Sequence, residues 1–525
     1  MRRLILLALG FLLTACQQHL PSVAPLPAAL QGGATTTAAP ALPSAPTKSA
    51  PTGGGLAAPA TAPAPAAKGT LAPVRSGVAE GPTPTPVPDR ETFTSYTVKA
   101  GDTLSGIATK LDVPMSAIMK ANNITDANRL QVGQTLKIPA EVDLVAPGER
   151  LLPDSEVVYG PPSSDFNVAK FAASQPGYLK DYADKIDGRD LTGAEIVQLV
   201  AQRYSVAPRL LLAMIELRGG WLSNPAPAEP AKTYPIRQDP ARPRLYYQLN
   251  WVANQINEGY YGWKTRQLAF LTYKDGSRAK LNKTLNPGTL AVQFLLAQLT
   301  TPDQFNGLAG KDGDFLRVYT QLFGDAWARS ADPVVPPDLK QPDLKLPWTG
   351  GERWYFTGGP HGAWGSGSAW AALDFIPGTA NLGGCWDASA YWVTASAPGV
   401  VIRSDQGEVM VDLDSDGKET TGWNILYLHM ASEDRVAVGT KLKTGDRIGH
   451  PSCEGGFSTG THLHIVRKYN GEWVAAAGLL PFNLSGWTVT KGGDEYDGAL
   501  AKGSETRDSC ECRDDNTNGL LSDNR

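Results

Sequence analysis

Three patterns of apolar and polar residues divide this chain, and each predicts a different kind of structure. After Met1-Arg2-Arg3, residues 4–13 form one apolar run. It is too short to span a bilayer as a permanent helix and suits a secretory leader. From 17 to about 92 there is no period. Proline, alanine and threonine dominate, so the segment cannot bury enough apolar surface to fold and predicts an extended tether. Over 94–140 a strand at 96–99 meets a Gly-Asp turn. Thr103 then opens a helix with Leu104, Ile107, Ala108 and Leu111 on one stripe. A second helix at 114–122 and a strand at 134–139 complete a βααβ unit.

After a linker at 141–165, apolar positions recur with a helical period through 166–340. Thr192 and Glu195 form a capping box ahead of Ile196, Val197, Leu199 and Val200. Pro208 suits a first helical position, and 249–261 and 290–299 predict further helices. From 346 to 490 the period falls to two, in short runs at 392–397, 399–404, 409–413, 424–429 and 462–468 separated by glycine turns. Residues 491–525 are polar and read as a tail. The expected fold is therefore multidomain: a leader at 1–15, a disordered tether at 16–93, a small βααβ module, an all-α domain and an all-β domain.

Composition narrows the function. A net charge of -4 and a pI near 5.9 give no electrostatic case for nucleic acid. The 13 tryptophans include Trp354, Trp364, Trp370, Trp386 and Trp392, which crowd the all-β segment. Singly they suit a core, and as a group they suit a groove for a sugar or peptide polymer. Leu13-Thr14-Ala15-Cys16 places a cysteine directly after the leader, and an exported chain favours disulfides among the other four cysteines. Cys385 and Cys453 flank the histidine motifs and are the first pair to expect. The pairing of Cys510 and Cys512 stays open.

Of six histidines, five lie in the all-β segment. His462 and His464 sit two apart on a predicted strand, so their side chains share one face. His361 lies in Gly-Pro-His-Gly ahead of Leu373-Asp374-Phe375, and His429 ends the run Ile-Leu-Tyr-Leu. This set predicts a catalytic zinc site. His450 and His19 fit no motif and read as structural and tether residues. Asp412, Asp414 and Asp416 imitate the start of a calcium loop, but the glutamate such a loop needs at its twelfth position is Trp423. An acidic hairpin turn is the favoured reading, and Ca2+ is the alternative.

Four resemblances sharpen these expectations. Leu-Thr-Ala-Cys resembles a bacterial lipobox, which implies lipidation of Cys16 and an exported chain, anchored to a membrane and facing the cell wall. Tyr96-Thr-Val-Lys-Ala-Gly-Asp-Thr-Leu104, Asn122-Asn123 and Leu130-Gln-Val-Gly-Gln134 closely resemble a LysM module. That implies glycan binding through Gly101, Asp102, Thr103 and the loop around Asn128 and Leu130. The helix from Pro208 is similar to the acid-bearing helix of lysozyme-like lytic transglycosylases. Arg218 occupies the position of the catalytic glutamate there, and Glu216 faces elsewhere, so an arginine that cannot donate a proton implies an inactive or substrate-positioning domain. The histidine motifs, with Ala397-Pro-Gly-Val-Val401 and Ser458-Thr-Gly-Thr-His462-Leu-His464, resemble lysostaphin-type zinc metallopeptidases of the staphylolysin/β-lytic branch. That resemblance implies His361, Asp374 and His464 as Zn2+ ligands and His429 and His462 as the acid–base and oxyanion-stabilising pair. The function expected is a zinc metalloendopeptidase that cuts peptide cross-links of peptidoglycan while LysM holds it on the wall. The alternatives are a catalytically inactive cell-wall-binding regulator of other hydrolases and a glycan-cleaving enzyme acting through Glu216.

Overall fold

A computed structural model describes residues 93–523, apart from 112, 114, 125, 128, 140–144, 265–267, 379–382 and 492–493. Cys16, His19, the leader, most of the tether and Asn128 lie outside the described residues. Among the described residues no helix is long and apolar enough to cross a membrane.

The first module is β1 (Phe93–Thr97), α1 (Leu104–Leu111), α2 (Met115–Ala121) and β2 (Thr135–Pro139), with the two strands antiparallel. Its core is the predicted stripe, Leu104, Ile107 and Ala108, closed by Ile118, Leu136 and Ile138. Thr103 caps α1 by accepting from the Gly106 amide at 3.1 Å.

The central region is helical, as the period predicts, with two small hairpins inserted. It runs α3 (Val168–Ala173), β3 (Ala183–Ile186), β4 (Arg189–Thr192), α4 (Gly193–Tyr204), α5 (Pro208–Gly219), α6 (Arg244–Lys264), β5 (Phe270–Thr272), β6 (Arg278–Lys280), α7 (Pro287–Ala297), α8 (Pro302–Ala309) and α9 (Asp314–Phe323). Thr192 and Glu195 form the capping box at the start of α4. Buried Glu216 on α5 accepts from the Leu222 amide at 2.8 Å and from the Ser223 hydroxyl at 2.6 Å. Its carboxylate closes the turn after the helix. Arg218 donates to the Ile236 carbonyl at 3.2 Å.

The third region is built from β7 (Arg353–Gly362), β8 (Trp370–Pro377), β9 (Val393–Thr394), β10 (Gly399–Asp405), β11 (Glu408–Asp412), β12 (Trp423–Leu428), β13 (Lys441–Leu442), β14 (Arg447–Gly449), β15 (Leu463–Tyr469) and β16 (Glu472–Trp473). It continues with β17 (Asn483–Leu484), β18 (Trp487–Lys491), β19 (Gly498–Lys502), β20 (Glu505–Asp508) and β21 (Gly519–Leu521). The main antiparallel sheet has the order β13-β10-β11-β12-β15-β8-β7-β21. The polar segment after 490 is therefore not a trailing tail. β19 and β20 extend a second sheet and β21 pairs with β7, with Leu500 and Leu520 fully buried. Those few apolar residues in a polar stretch are what dock it.

Strand alternation sorts the main sheet into two faces. Val409, Val411, Ile425, Tyr427, Leu463, Ile465, Leu373 and Phe375 point into the domain's own core with Trp348 and Trp354. Met410, Leu426, Leu428, Val466 and Ala372 point the other way and share one core with the helical region. Trp354 stacks on Trp348 at 5.2 Å and is wholly buried, so it belongs to the core and not to a groove.

Candidate metal centre

Register brings the chemistry together. Leu428 pairs with His464, and His464 pairs with Asp374 on the neighbouring strand. Directly opposed residues share a face. His361 pairs with Ala372, two residues from Asp374, after a bulge in β7. His429 lies just past the end of β12 with φ of 63°, and His462 just before β15. His361, Asp374, His464, His462 and His429 thus meet at one end of the sheet, on the face that the helical region packs against.

The donor atoms converge closely. His361 Nε2 is 3.1 Å from His464 Nδ1, and Asp374 Oδ1 is 3.3 Å from the first and 3.2 Å from the second. His462 Nε2 lies 3.6 Å from the same carboxylate oxygen. The His429 ring sits 4.4 Å from that of His462, centre to centre.

Backbone carbonyls set every imidazole. His361 Nδ1 donates to Gly359 at 2.8 Å, His464 Nε2 to Ala363 at 3.2 Å, His462 Nδ1 to Gly460 at 2.7 Å and His429 Nδ1 to Glu454 at 3.0 Å. A carbonyl only accepts, so each of those nitrogens carries the proton and the other presents a lone pair inward. Burial and the neighbouring His462 and His464 push His429 down to about 3. Burial also lowers His464. His361 would fall through burial but is raised by the Asp374 carboxylate beside it. Burial works against the Asp374 carboxylate, yet the imidazoles hold it well below its ordinary range.

A cation fits this arrangement. Asp374 Oδ1 is buried and finds no hydrogen-bond donor. Three lone-pair atoms face one another with no proton to share among them. A tetrahedral ion with bonds of ~2.0–2.1 Å spaces its donors about 3.3–3.4 Å apart, close to the separations here.

Two contributors were not legible in sequence because they come from the polar segment after 490. Tyr496 stacks on the His361 ring at 4.3 Å, and Glu495 accepts from the Gly362 amide at 3.0 Å. No local motif marks either residue. The predicted pair Cys385–Cys453 is bonded and ties down the loop that supplies the Glu454 and Gly460 carbonyls, and Cys510 is bonded to Cys512. His450 donates to the Tyr391 carbonyl at 2.7 Å and packs on Trp392, away from the cluster.

The other predicted sites look different. Asp412 accepts from the amides of Asp414, Ser415 and Gly417 and is pushed up to about 6, chiefly by burial. Asp414 in turn accepts from the Asp416 amide, and Asp416 from the Lys418 amide and the Thr421 hydroxyl. These bonds turn the β11–β12 hairpin, which accounts for the aspartate spacing as the favoured reading does. In the first module Asp102 accepts from the Tyr96 hydroxyl at 2.9 Å and the Lys99 amide at 2.7 Å. Gly101 has φ of 88°, and Leu130 packs on the module's core. These residues shape the predicted glycan-binding loop.

Sequence comparison meets the geometry here. Residues 96–139 match the LysM domain model, 387–476 match peptidase family M23, and 150–336 match the LasA N-terminal domain. These matches give the chain a LysM domain and a domain of the M23, lysostaphin-type metallopeptidase family. Among similar proteins, protease LasA of Pseudomonas aeruginosa is 26% identical over 365 residues, covering 66% of this chain and 79% of LasA. The β-lytic metalloendopeptidase of Lysobacter enzymogenes is 28% identical over 156 residues, 29% of this chain and 83% of that protein. The solved M23 metalloprotease pseudoalterin, from the deep sea, is 26% identical with a TM-score of 0.27, over 33% of this chain and 96% of that one. The LasA N-terminal match spans the helical region, whereas the transglycosylase likeness rested on α5 alone.

Proposed function

We propose that this protein is an exported zinc endopeptidase that hydrolyses peptide cross-links of bacterial peptidoglycan, tethered to a membrane through lipidated Cys16 and held on glycan by its LysM domain. The observation that carries the reading is the cluster of four imidazoles around Asp374, each donating one ring N–H to a backbone carbonyl. His361, Asp374 and His464 would hold the Zn2+, which supplies Lewis-acid polarisation of a carbonyl and acidification of water. His462 and His429 present Nε2 lone pairs. One accepts the proton of the attacking water and delivers it to the leaving amine, and the other donates to the developing oxyanion once protonated. Burial keeps the His429 imidazole neutral, and the Gly460 and Glu454 carbonyls hold the two rings in the working orientation.

The names of the relatives support a protease of the β-lytic kind, and a LysM domain beside it supports a wall substrate. The leader and the Leu-Thr-Ala-Cys motif support export and anchoring. Glu216 serves the turn after α5, so its carboxylate is engaged there and does not support the glycan-cleaving alternative.

Digestion of purified peptidoglycan by the zinc-loaded protein tests this reading. New peptide amino termini, lost in Asp374→Ala, are expected. Release of reducing or anhydro-sugar ends without new termini would replace it with the glycosidase alternative. No release at all would favour the inactive regulator.

A further inference from the structure

The helical region does more than sit beside the catalytic sheet. Ala372, Leu426 and Val466 of the sheet share a core with α4 and α6. Arg203 of α4 meets Glu408 at 3.1 Å, with both side chains buried. Lys264 and Tyr260 of α6 both bind the buried Glu472. Without the helical region Glu472 would lose Lys264 and Tyr260, and Glu408 would lose one of its two arginines.

One contact of this interface reaches the metal centre. Asn254 on α6 accepts from the Gly367 amide at 2.9 Å through Oδ1 and approaches Ser366 Oγ at 3.3 Å through Nδ2. A Cβ at Gly367 would stand 2.1 Å from the Asn254 carbonyl oxygen, so only glycine allows the loop this close. The loop behind it is tightly bound to itself. Ser368 Oγ donates to Gly365 and accepts from Trp364, and the Ala363 amide donates to Ala369. The Ala363 carbonyl at its foot accepts the hydrogen bond from His464 Nε2–H and so turns Nδ1 toward the cluster.

We propose that Asn254 is a positioning residue for the metal centre. By clamping the 363–368 loop it fixes the carbonyl that orients His464, which makes the helical region a working part of the peptidase. The proposal rests on the metal-binding reading of His361, Asp374 and His464.

The test is chelator competition for Zn2+ on the full chain, beside peptide turnover and thermal unfolding. Asn254→Ala should bind Zn2+ about tenfold more weakly, in the range found for residues that orient metal ligands. Its kcat should fall more than its KM rises, with the melting temperature of the metal-free protein unchanged. Asn254→Asp keeps an acceptor for the Gly367 amide and should restore the affinity. Gly367→Ala, which forces loop and helix apart, should weaken Zn2+ binding in the same direction. Zn2+ affinity of Asn254→Ala within twofold of the parent, or a loss of stability without a loss of affinity, overturns the proposal. A parent that binds Zn2+ but cleaves no wall peptide would defeat the peptidase reading while leaving this comparison intact. A parent that binds no Zn2+ would defeat both.

Discussion

The two faces of the catalytic sheet were built from the same alternating strands and do different work. The inner face is largely apolar and packs into the domain's own core. The outer face mixes Leu426 and Val466 with half-buried Arg403 and buried Glu408 and Lys468, and its far end carries the candidate metal centre. The first face is enough to make a sheet. The second is complete only with the helical region on it, because its charges are paired across that boundary or along it. Arg203 meets Glu408, Glu408 meets Arg403, Arg403 meets Glu419 at 3.1 Å, and Glu419 meets Lys468 at 2.8 Å. The candidate metal centre and the interdomain packing therefore share a surface.

That contrast can be broken at several points. The largest effect belongs to the metal end of the outer face. Asp374→Ala should lose Zn2+ and peptide hydrolysis together, by more than about 10³-fold in rate or over ~4 kcal/mol of barrier, while circular dichroism stays native. Next comes the charged boundary. Arg203→Ala removes its charged hydrogen bonds to Glu408 and Asp187 while Arg403 still pairs Glu408, and should cost about 3 kcal/mol in urea unfolding. An inner-face change, Ile465→Ala, should cost about 2–5 kcal/mol through its cavity, and should leave Zn2+ affinity untouched. If Ile465→Ala weakened Zn2+ binding as much as it lowered stability, the separation of the two faces would be false.

The smallest effect is a pH dependence. Burial works against the Glu419 carboxylate, but Arg403 and Lys468 hold it below its ordinary range. A depressed folded value contributes stability that is present above the unfolded value of about 4.3 and is lost as pH falls through the folded one. Glu419→Gln should therefore lower the melting temperature at pH 7, and the gap to the parent should narrow with acidification below pH 4.

Much of the site was legible because its residues sit in short, periodic runs. His462 and His464 had to share a face once the strand was recognised, and the Gly-Pro-His-Gly and Leu-Asp-Phe motifs drew His361 and Asp374 into the same set. The capping box at Thr192 was visible for the same local reason. Tyr496 and Glu495 were not, since they reach His361 and Gly362 from a polar segment more than 130 residues away. Asn254 looked like any polar residue on an amphipathic helix.

Composition and period alone thus determined the order of modules and the two-residue alternation of the sheet strands, because each depends on neighbours a few positions apart, while the resemblance to lysostaphin-type peptidases implied which residues are the candidate ligands. Tertiary structure decided which carbonyl each imidazole meets, which side of the sheet the helices cover, and that the polar end closes the sheet. Those outcomes depend on register, bulges and docking between distant segments, and no local pattern encodes the distance between a helix and a loop that first meet when the chain folds.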